Sequence, residues 1–465
     1  MRWNNIIVKK LCQDLAVEYI SKLPEAVTDM LYDISGSIDT PLAKFYRKFI
    51  EYKRHPSYQF LHTVDCRLYT NDEIRKEEAD GNVMKKIKVL DLEKRKNQIN
   101  DSIDLFHEGN PQKFAFYDTC VSYLDQFKHY MKMEQREGRQ TKNFTNAWIK
   151  CWEMIHFYKL IPFNHSDDFT IFCNAEFPGA FIFAINHYIK TKTNNKNYKW
   201  FANSLWPGTT DNKDDNIFGD SFGLYKKYRD HWLMNGKDAS GDVTDKKMIG
   251  IITERLSHKV DLYTSDIGIG IPYEQANRQE ELEAHLNLGQ VICALRTLKN
   301  GGSMICKTFM FFREMTISLF YLLTNVFDEF HVSKPMTSRP ANAEIYIIGK
   351  GYRENETITK MLETLLFTWN ISKINKWIVP VPRSFYLQII YSLYVIYDRQ
   401  AYFVSKNVEF TKHEYDLKKT NPSIVDIFRR DYKDKNRREL QLRQQMVTEW
   451  KKKYPIGPIS QNDLL

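Results

Sequence analysis

The chain reads as α/β: a doubly wound, mostly parallel sheet with an antiparallel last strand, flanked by mainly helical N- and C-terminal regions. Two observations predict this. From Asn143 onward, short apolar runs alternate with amphipathic helical stretches, the pattern of strands joined by crossover helices. The last two runs, "EFHVSK" and "AEIYIIGKGY", are separated only by "PMTSRPAN". That connection is too short for a crossover, so the pair forms an antiparallel hairpin.

The elements follow in order. "NFTNAWIKCWEMIHFYKLIP" is an apolar-faced helix ending near Pro162. "FTIFCNAEFPGAFIFAINHYIK" is a strand, a turn on Pro178-Gly179 and a helix. An Asn/Lys-rich loop leads to a second strand, "WFANSL", and a long polar insertion runs from Pro207 to about Ser240. "GDVTDKKMIGIITERLSHKV" reads as the end of a third strand and a helix. "VDLYTSDIGIG" opens as a buried strand, its valine, leucine, tyrosine and threonine suiting a pleated surface. "EELEAHLNLGQVICALRTLKN" is a helix that Gly301-Gly302 would stop. "SMICK" is the next strand and "TISLFYLLTNVF" the last crossover helix. Residues 1–140 form a helical accessory region, 141–353 the α/β domain and 354–465 a basic, mainly helical region. No repeat is visible.

At 465 residues the chain exceeds one ordinary core. The net charge of +9 is uneven: from Thr411 to Lys453 there are 13 Lys/Arg against 7 Asp/Glu. Such an excess fits a polyanionic partner. Cys12, Cys66, Cys120, Cys151, Cys173, Cys293 and Cys306 form no C-x-x-C pair and are odd in number. That argues against a disulfide scaffold or a zinc module and fits a reducing compartment. The expectation is a soluble protein of the cytoplasm or nucleus, with no signal peptide. The greasy stretches Met304–Phe327 and Phe385–Val404 are interrupted by Lys307, Arg313, Glu314, Gln388 and Asp398, so neither reads as a membrane span.

Chemistry gathers at the strand tips. Asp266 ends the strand from Val260, and ligands of open α/β sheets sit outside the carboxyl ends of the strands. The plainer role for Asp266 is capping the next turn. Lys307 ends "GGSMICK", where burial disfavours its charge, although its stem could snorkel to solvent. Glu344 lies in "SRPANAEIYIIGKGY" and Lys150 on the helix before the first strand. Two lysines and two acids converging on one crevice would tune a lysine to take a proton from a hydroxyl near neutral pH. "DIGIGIP" lacks the spacing and position of a dinucleotide-binding loop. No His/Cys/Asp cluster has convincing metal-ligand spacing. His187 and His285 read as packing or surface residues.

The order Lys150, Asp266, Lys307, Glu344, in the contexts "AWIK", "YTSDIG", "GGSMICKTF" and "TSRPANAEIYIIGKGY", resembles the FtsJ-like RNA ribose 2'-O-methyltransferases. Within them the chain is most similar to the Adrift-type cap methyltransferases of animals and large cytoplasmic DNA viruses. "NAEFPGAFIFAINHYIK" and "KPMTSRPANAEIYIIGKGY" carry that closer likeness, over roughly Thr141 to Tyr352. The resemblance implies a Rossmann-like S-adenosylmethionine-dependent fold and a Lys-Asp-Lys-Glu catalytic tetrad, with Lys307 as general base and Asp266 orienting it. It places the cofactor's methionine part near Gly179, its adenine on Asp242 of "SGDVTD" and its positive end near Asp266. Related enzymes often hold the cofactor ribose with an acid after strand two. Here "WFANSLWPG" offers Asn203 and Ser204 instead, and Trp200 is the residue named for that role.

The implied partner is the single-stranded 5' end of capped mRNA, with other capping or transcription proteins besides and no membrane. For a virus-encoded chain the compartment would be the virion or viral factory. No metal is needed for the implied chemistry. "FGLYKKYRDHW" and "IFRRDYKDKNRRELQLRQQ" mix basic and aromatic residues, as single-stranded RNA binding requires, while solvated helix faces look similar. Two other readings stay open: a methyltransferase of ribosomal or transfer RNA, whose members are usually more compact, and a non-catalytic RNA-binding scaffold. Retention of all four tetrad residues weighs against the last.

Overall fold

A computed structural model describes residues 63–69, 111–138, 143–206, 220–236, 239–256, 258–271, 273–420, 425–435 and 437–465, with a few isolated positions besides. The insertion between 207 and 219 and most of the charged stretches before residue 101 lie outside the described residues.

Seven strands form one sheet: β1 (Val64–Leu68), β2 (Thr170–Asn174), β3 (Lys199–Ala202), β4 (Val260–Ser265), β5 (Leu298–Thr308), β6 (Phe327–Lys334) and β7 (Ile345–Tyr352). Their order is β1-β6-β7-β5-β4-β2-β3. The β2–β3, β2–β4 and β4–β5 pairs are parallel, and β7 runs antiparallel between β5 and β6. The expected hairpin is therefore present, with Phe327 opposite Tyr352 and Ser333 opposite Tyr346.

Among the described residues the helices of ten residues or more are α1 (Pro111–Leu124), α2 (Gln126–Arg136), α3 (Asn146–Tyr158), α4 (Ala180–Lys192), α5 (Lys246–Arg255), α6 (Gln279–Thr297), α7 (Glu314–Thr324), α8 (Glu356–Phe367), α9 (Arg383–Thr420), α10 (Val425–Lys435) and α11 (Arg437–Lys453). They cover both faces of the sheet, and the central strands divide their side chains with period two. Phe172, Tyr263, Met304, Cys306, Ile345 and Ile347 pack in one core with residues of α5 to α9. Ile171, Cys173, Leu262, Ile305, Tyr346 and Ile348 pack in another with α3, α4 and α11. This explains why these strands read as continuous apolar runs rather than alternating ones. Among the described residues no helix is long and apolar enough to cross a membrane. The six described cysteines are buried, and no disulfide joins them.

Three expectations are corrected. The region before residue 141 is not only helical, because β1 closes one sheet edge by pairing antiparallel with β6. "GDVT" forms no strand: Ser240–Thr244 is a loop and turn, and that edge of the sheet ends in a single parallel bridge, Ala202 to Trp232. The reason lies at Gly241, whose φ is +80° and where a Cβ would fall 1.8 Å from the Ser204 carbonyl oxygen. Backbone crossing so close to β3's exit cannot run on as a paired strand. Finally, Gly301-Gly302 does not stop α6, which ends at Thr297. The glycines lie inside β5, in a bulge where the register against β4 jumps from Val260–Leu298 to Leu262–Ser303.

The basic C-terminal region shares the α3/α4 core. Trp450 of α11 is fully buried there with Met446 and Tyr454. Beyond α11, the Gly457 and Asp463 carbonyls accept hydrogen bonds from His187 and Asn186 of α4. Removing a buried Trp of this kind costs about 3–5 kcal/mol, so α11 is integral to the fold.

Candidate active site

Lys150 is set by α3, whose N-cap Thr145 accepts a hydrogen bond from the Trp148 N–H. Its Nζ lies 3.0 and 2.9 Å from the two oxygens of Glu344, the residue before β7. Ser338 donates to the same carboxylate at 2.8 Å. Both partners of the pair are about nine-tenths buried.

Lys307 stands at the end of β5, directly opposite Tyr346 on β7. Its Nζ donates to the main-chain oxygen of Asp266 at 2.9 Å and lies 3.5 Å from the carboxylate. Tyr346 donates its hydroxyl to Asp266 at 2.9 Å, and Lys150 Nζ stands 5.5 Å from the centre of the Tyr346 ring. Tyr346 thus stands between the two ion pairs, and the four sequence-predicted tetrad residues meet at one place.

The electrostatics fit that convergence. Burial alone would draw the Lys150 ammonium down, but Glu344 and then Asp266 raise it above its ordinary value. Burial would raise the Glu344 carboxyl, yet Lys150, Lys334 and Lys307 hold it well below the carboxylate range. Lys334, which sequence reasoning missed, donates to the Glu344 carbonyl at 2.6 Å and to the Asn342 carbonyl at 3.0 Å. Burial is the main cause that draws its pKa down, to about 7. The signal was available: Lys334 ends the apolar run "EFHVSK" just as Lys307 ends "SMICK".

Beside the tetrad, at the carboxyl ends of β2, β3 and β4, lies a cavity of about 410 Å³ lined by Asn174, Ser204, Leu205, Asp242, Asp266 and Ile269, among others. This is the crevice where ligands of such sheets bind, and its size suits a small organic molecule. Asp242 is in it. One Asp242 oxygen accepts from the Thr244 N–H and hydroxyl, at 2.9 and 2.7 Å, which leaves the other for a ligand. Asp266 lines the same cavity and so joins it to the tetrad.

Gly179 and Trp200 are not among the lining residues. Gly179 has φ +112°, and a Cβ there would lie 2.4 Å from Leu224 Cδ2, so packing against the insertion accounts for the glycine. Trp200 is buried and stacked on His231 with ring centroids 4.2 Å apart. At β3's exit it is Ser204 and Leu205 that reach the cavity. Asn203, also offered by that stretch, instead bonds Asn174 Oδ1 and the Gly241 carbonyl at 2.8 and 2.9 Å and braces the wall. Glu176 is buried and accepts from the Phe181 N–H at 2.7 Å, and burial raises its carboxyl well above the ordinary range. Among the described residues no group of three or more His, Cys, Asp or Glu is placed to hold a metal ion.

In the basic C-terminal stretch, Arg429 forms a two-point pair with the buried Glu414, at 3.0 and 2.6 Å. Arg430 is exposed. The side chains of Lys433, Lys435, Arg437 and Arg438 lie outside the described residues.

A sheet with an antiparallel β7 between β5 and β6, and a crevice at the tips of β2, β3 and β4, is the arrangement of Rossmann-like methyltransferases. Residues 144–352 match the family model of FtsJ-like methyltransferases. The chain is 32% identical over 285 residues to the probable methyltransferase EP424R of African swine fever virus, covering 57% of this chain and 64% of that protein. It is 31% identical over 309 residues to cap-specific mRNA (nucleoside-2'-O-)-methyltransferase 2 of Pongo abelii, covering 62% of this chain and 39% of that one. The Drosophila melanogaster protein of the same name is 33% identical over 233 residues, 48% of this chain and 32% of its own length. The chain therefore spans less than two thirds of each of these relatives.

Proposed function

We propose that the chain is an S-adenosylmethionine-dependent RNA ribose 2'-O-methyltransferase acting on a nucleotide next to the cap of mRNA. The observation that carries the reading is the meeting of Lys150, Asp266, Lys307 and Glu344 beside the cavity of about 410 Å³. The names of the animal relatives supply the capped substrate.

The cavity fits the cofactor. Asp242 offers a carboxylate oxygen to an adenine amino group, Leu205, Ile269 and Leu286 offer apolar walls, and Asp266 sits on the tetrad side to face a cation. Bound there, S-adenosylmethionine supplies an electrophilic methyl group. The chain's own residues do the rest. Lys307, held by Asp266 and acting as the neutral amine, accepts the proton of the ribose 2'-hydroxyl as its oxygen attacks the methyl group. The Lys150–Glu344 pair fixes the opposite wall and keeps a positive charge near the developing alkoxide. Ser338 and Lys334 keep Glu344 in place.

Lys307→Ala tests the reading. Methyl transfer to a short capped RNA should fall at least on the order of 10²-fold, with cofactor affinity by calorimetry nearly unchanged. Near-normal turnover would remove Lys307 from the chemistry.

A further inference from the structure

Glu153 lies on α3 one turn beyond Lys150, fully buried. Its carboxylate receives five hydrogen bonds from neutral donors. Oε1 accepts from the Thr63 hydroxyl at 2.6 Å and the Met336 N–H at 2.7 Å. Oε2 accepts from the Thr337 N–H at 3.0 Å, the Thr337 hydroxyl at 2.7 Å and the Trp450 indole N–H at 3.1 Å. An isolated buried carboxylate is costly, and full satisfaction by fixed donors is what permits one.

The donors come from three distant parts of the chain: the segment entering β1, the loop between β6 and β7, and α11. That loop carries Ser338 and Glu344. The Glu153 hydrogen bonds and the Lys150–Glu344 pair therefore join the same two elements, α3 and the loop, at two points.

We propose that Glu153 is a positioning residue for the tetrad. It fixes the loop on α3 so that Glu344 meets Lys150, and through Trp450 it makes α11 part of the catalytic assembly. The inference rests on the methyltransferase reading of the tetrad. Gln at 153 turns an N–H₂ toward N–H and O–H donors, so part of the clamp opens while side-chain volume is kept. Thr337→Val removes one hydroxyl donor at constant shape, and Thr337→Ser keeps it.

The full chain would be assayed as wild type, Glu153→Gln, Thr337→Val, Thr337→Ser and Lys307→Ala, with kcat expressed per cofactor-binding site from calorimetry. The expected result is a loss of kcat on the order of 10–100-fold for Glu153→Gln and about fivefold or more for Thr337→Val, since small misplacements at a reacting centre cost this much. Thr337→Ser should stay near wild type, and KM for capped RNA and cofactor affinity should hold within about threefold throughout. A merely structural role would lower the number of cofactor sites and leave kcat per site unchanged. That result, with Lys307→Ala inactive, overturns the positioning role alone. An active Lys307→Ala overturns the tetrad reading itself. If Glu153→Gln does not fold, the Thr337 pair decides.

Discussion

Gly268→Ala displaces Lys307, and because Gly268 also lines the cavity, cofactor affinity is read beside turnover. A Cβ added at Gly268 would lie 2.9 Å from Lys307 Nζ and 3.3 Å from its Cε, while no backbone atom stands in the way. The lysine end must swing aside by several tenths of an ångström, away from the Asp266 carbonyl that it now meets at 2.9 Å. Because the displaced group is the tip of a flexible side chain, the fold should tolerate the change, with a stability loss within about 1 kcal/mol. The hydrogen bond that the neutral amine loses is worth about 0.5–1.5 kcal/mol. If Lys307 accepts the proton, its displaced nitrogen lowers kcat by about tenfold or more. The assay is labelled-methyl transfer to a capped oligonucleotide at saturating cofactor, with thermal unfolding and cofactor calorimetry as controls. Turnover within twofold of wild type, in a protein that unfolds at the wild-type temperature, would refute the argument that Lys307 must occupy this position.

Other expectations follow from the same geometry. Asp242→Ala should weaken S-adenosylmethionine binding by about tenfold through loss of one charge-assisted hydrogen bond, with RNA binding little changed; equal cofactor affinity by calorimetry would move the adenine elsewhere. Burial raises the Glu283 carboxyl to about 7 against the lowering effects of Gln279, Lys307 and the Ile269 N–H. Between the ordinary carboxylate value and about 7 the folded state holds a proton that the unfolded chain has released, so this group's stabilising contribution falls as pH rises through that window. Glu283→Gln should therefore unfold at a higher temperature than wild type at pH 8 and at nearly the same temperature at pH 4, with a gain of at most about 3 kcal/mol; a gain independent of pH would contradict it. Charge reversal at Arg430, Lys433, Lys435, Arg437 and Arg438 should flatten the salt dependence of capped-RNA binding, by roughly 0.7 in slope for each phosphate no longer neutralised. An unchanged slope would leave these residues without an RNA role.

Most of the candidate site's convergence was legible in the sequence because its residues sit where polarity breaks an apolar run. Asp266 and Lys307 stand at the ends of strands, and the short "PMTSRPAN" connection forced the hairpin that delivers Glu344. Tyr346 was not legible. On a strand buried on both faces, one tyrosine among isoleucines reads as core, and only the register opposite Lys307 gives its hydroxyl to Asp266. The missing third strand and the β5 bulge share a cause. Glycine pairs a local pattern with several outcomes, and here close backbone decided: the distant Ser204 carbonyl at Gly241, and at Gly302 the nearby Lys299 carbonyl together with the β4 backbone. Gly179 and Trp200 were placed near the cofactor on the strength of resemblance, and packing against Leu224 and His231 explains both. The pairing of β1 with β6, and the docking of α11 on α3, join segments hundreds of residues apart, which no local pattern encodes.

The central claim is tested most directly by locating the methyl group. The full chain would be incubated with labelled S-adenosylmethionine and a short RNA in capped and uncapped forms, and the product digested with nucleases and resolved by mass. The account predicts one methyl on the ribose 2'-oxygen of the first or second transcribed nucleotide, on capped RNA, and none with Lys307→Ala. A methyl on a base, or equal transfer to uncapped RNA at internal positions, would contradict it.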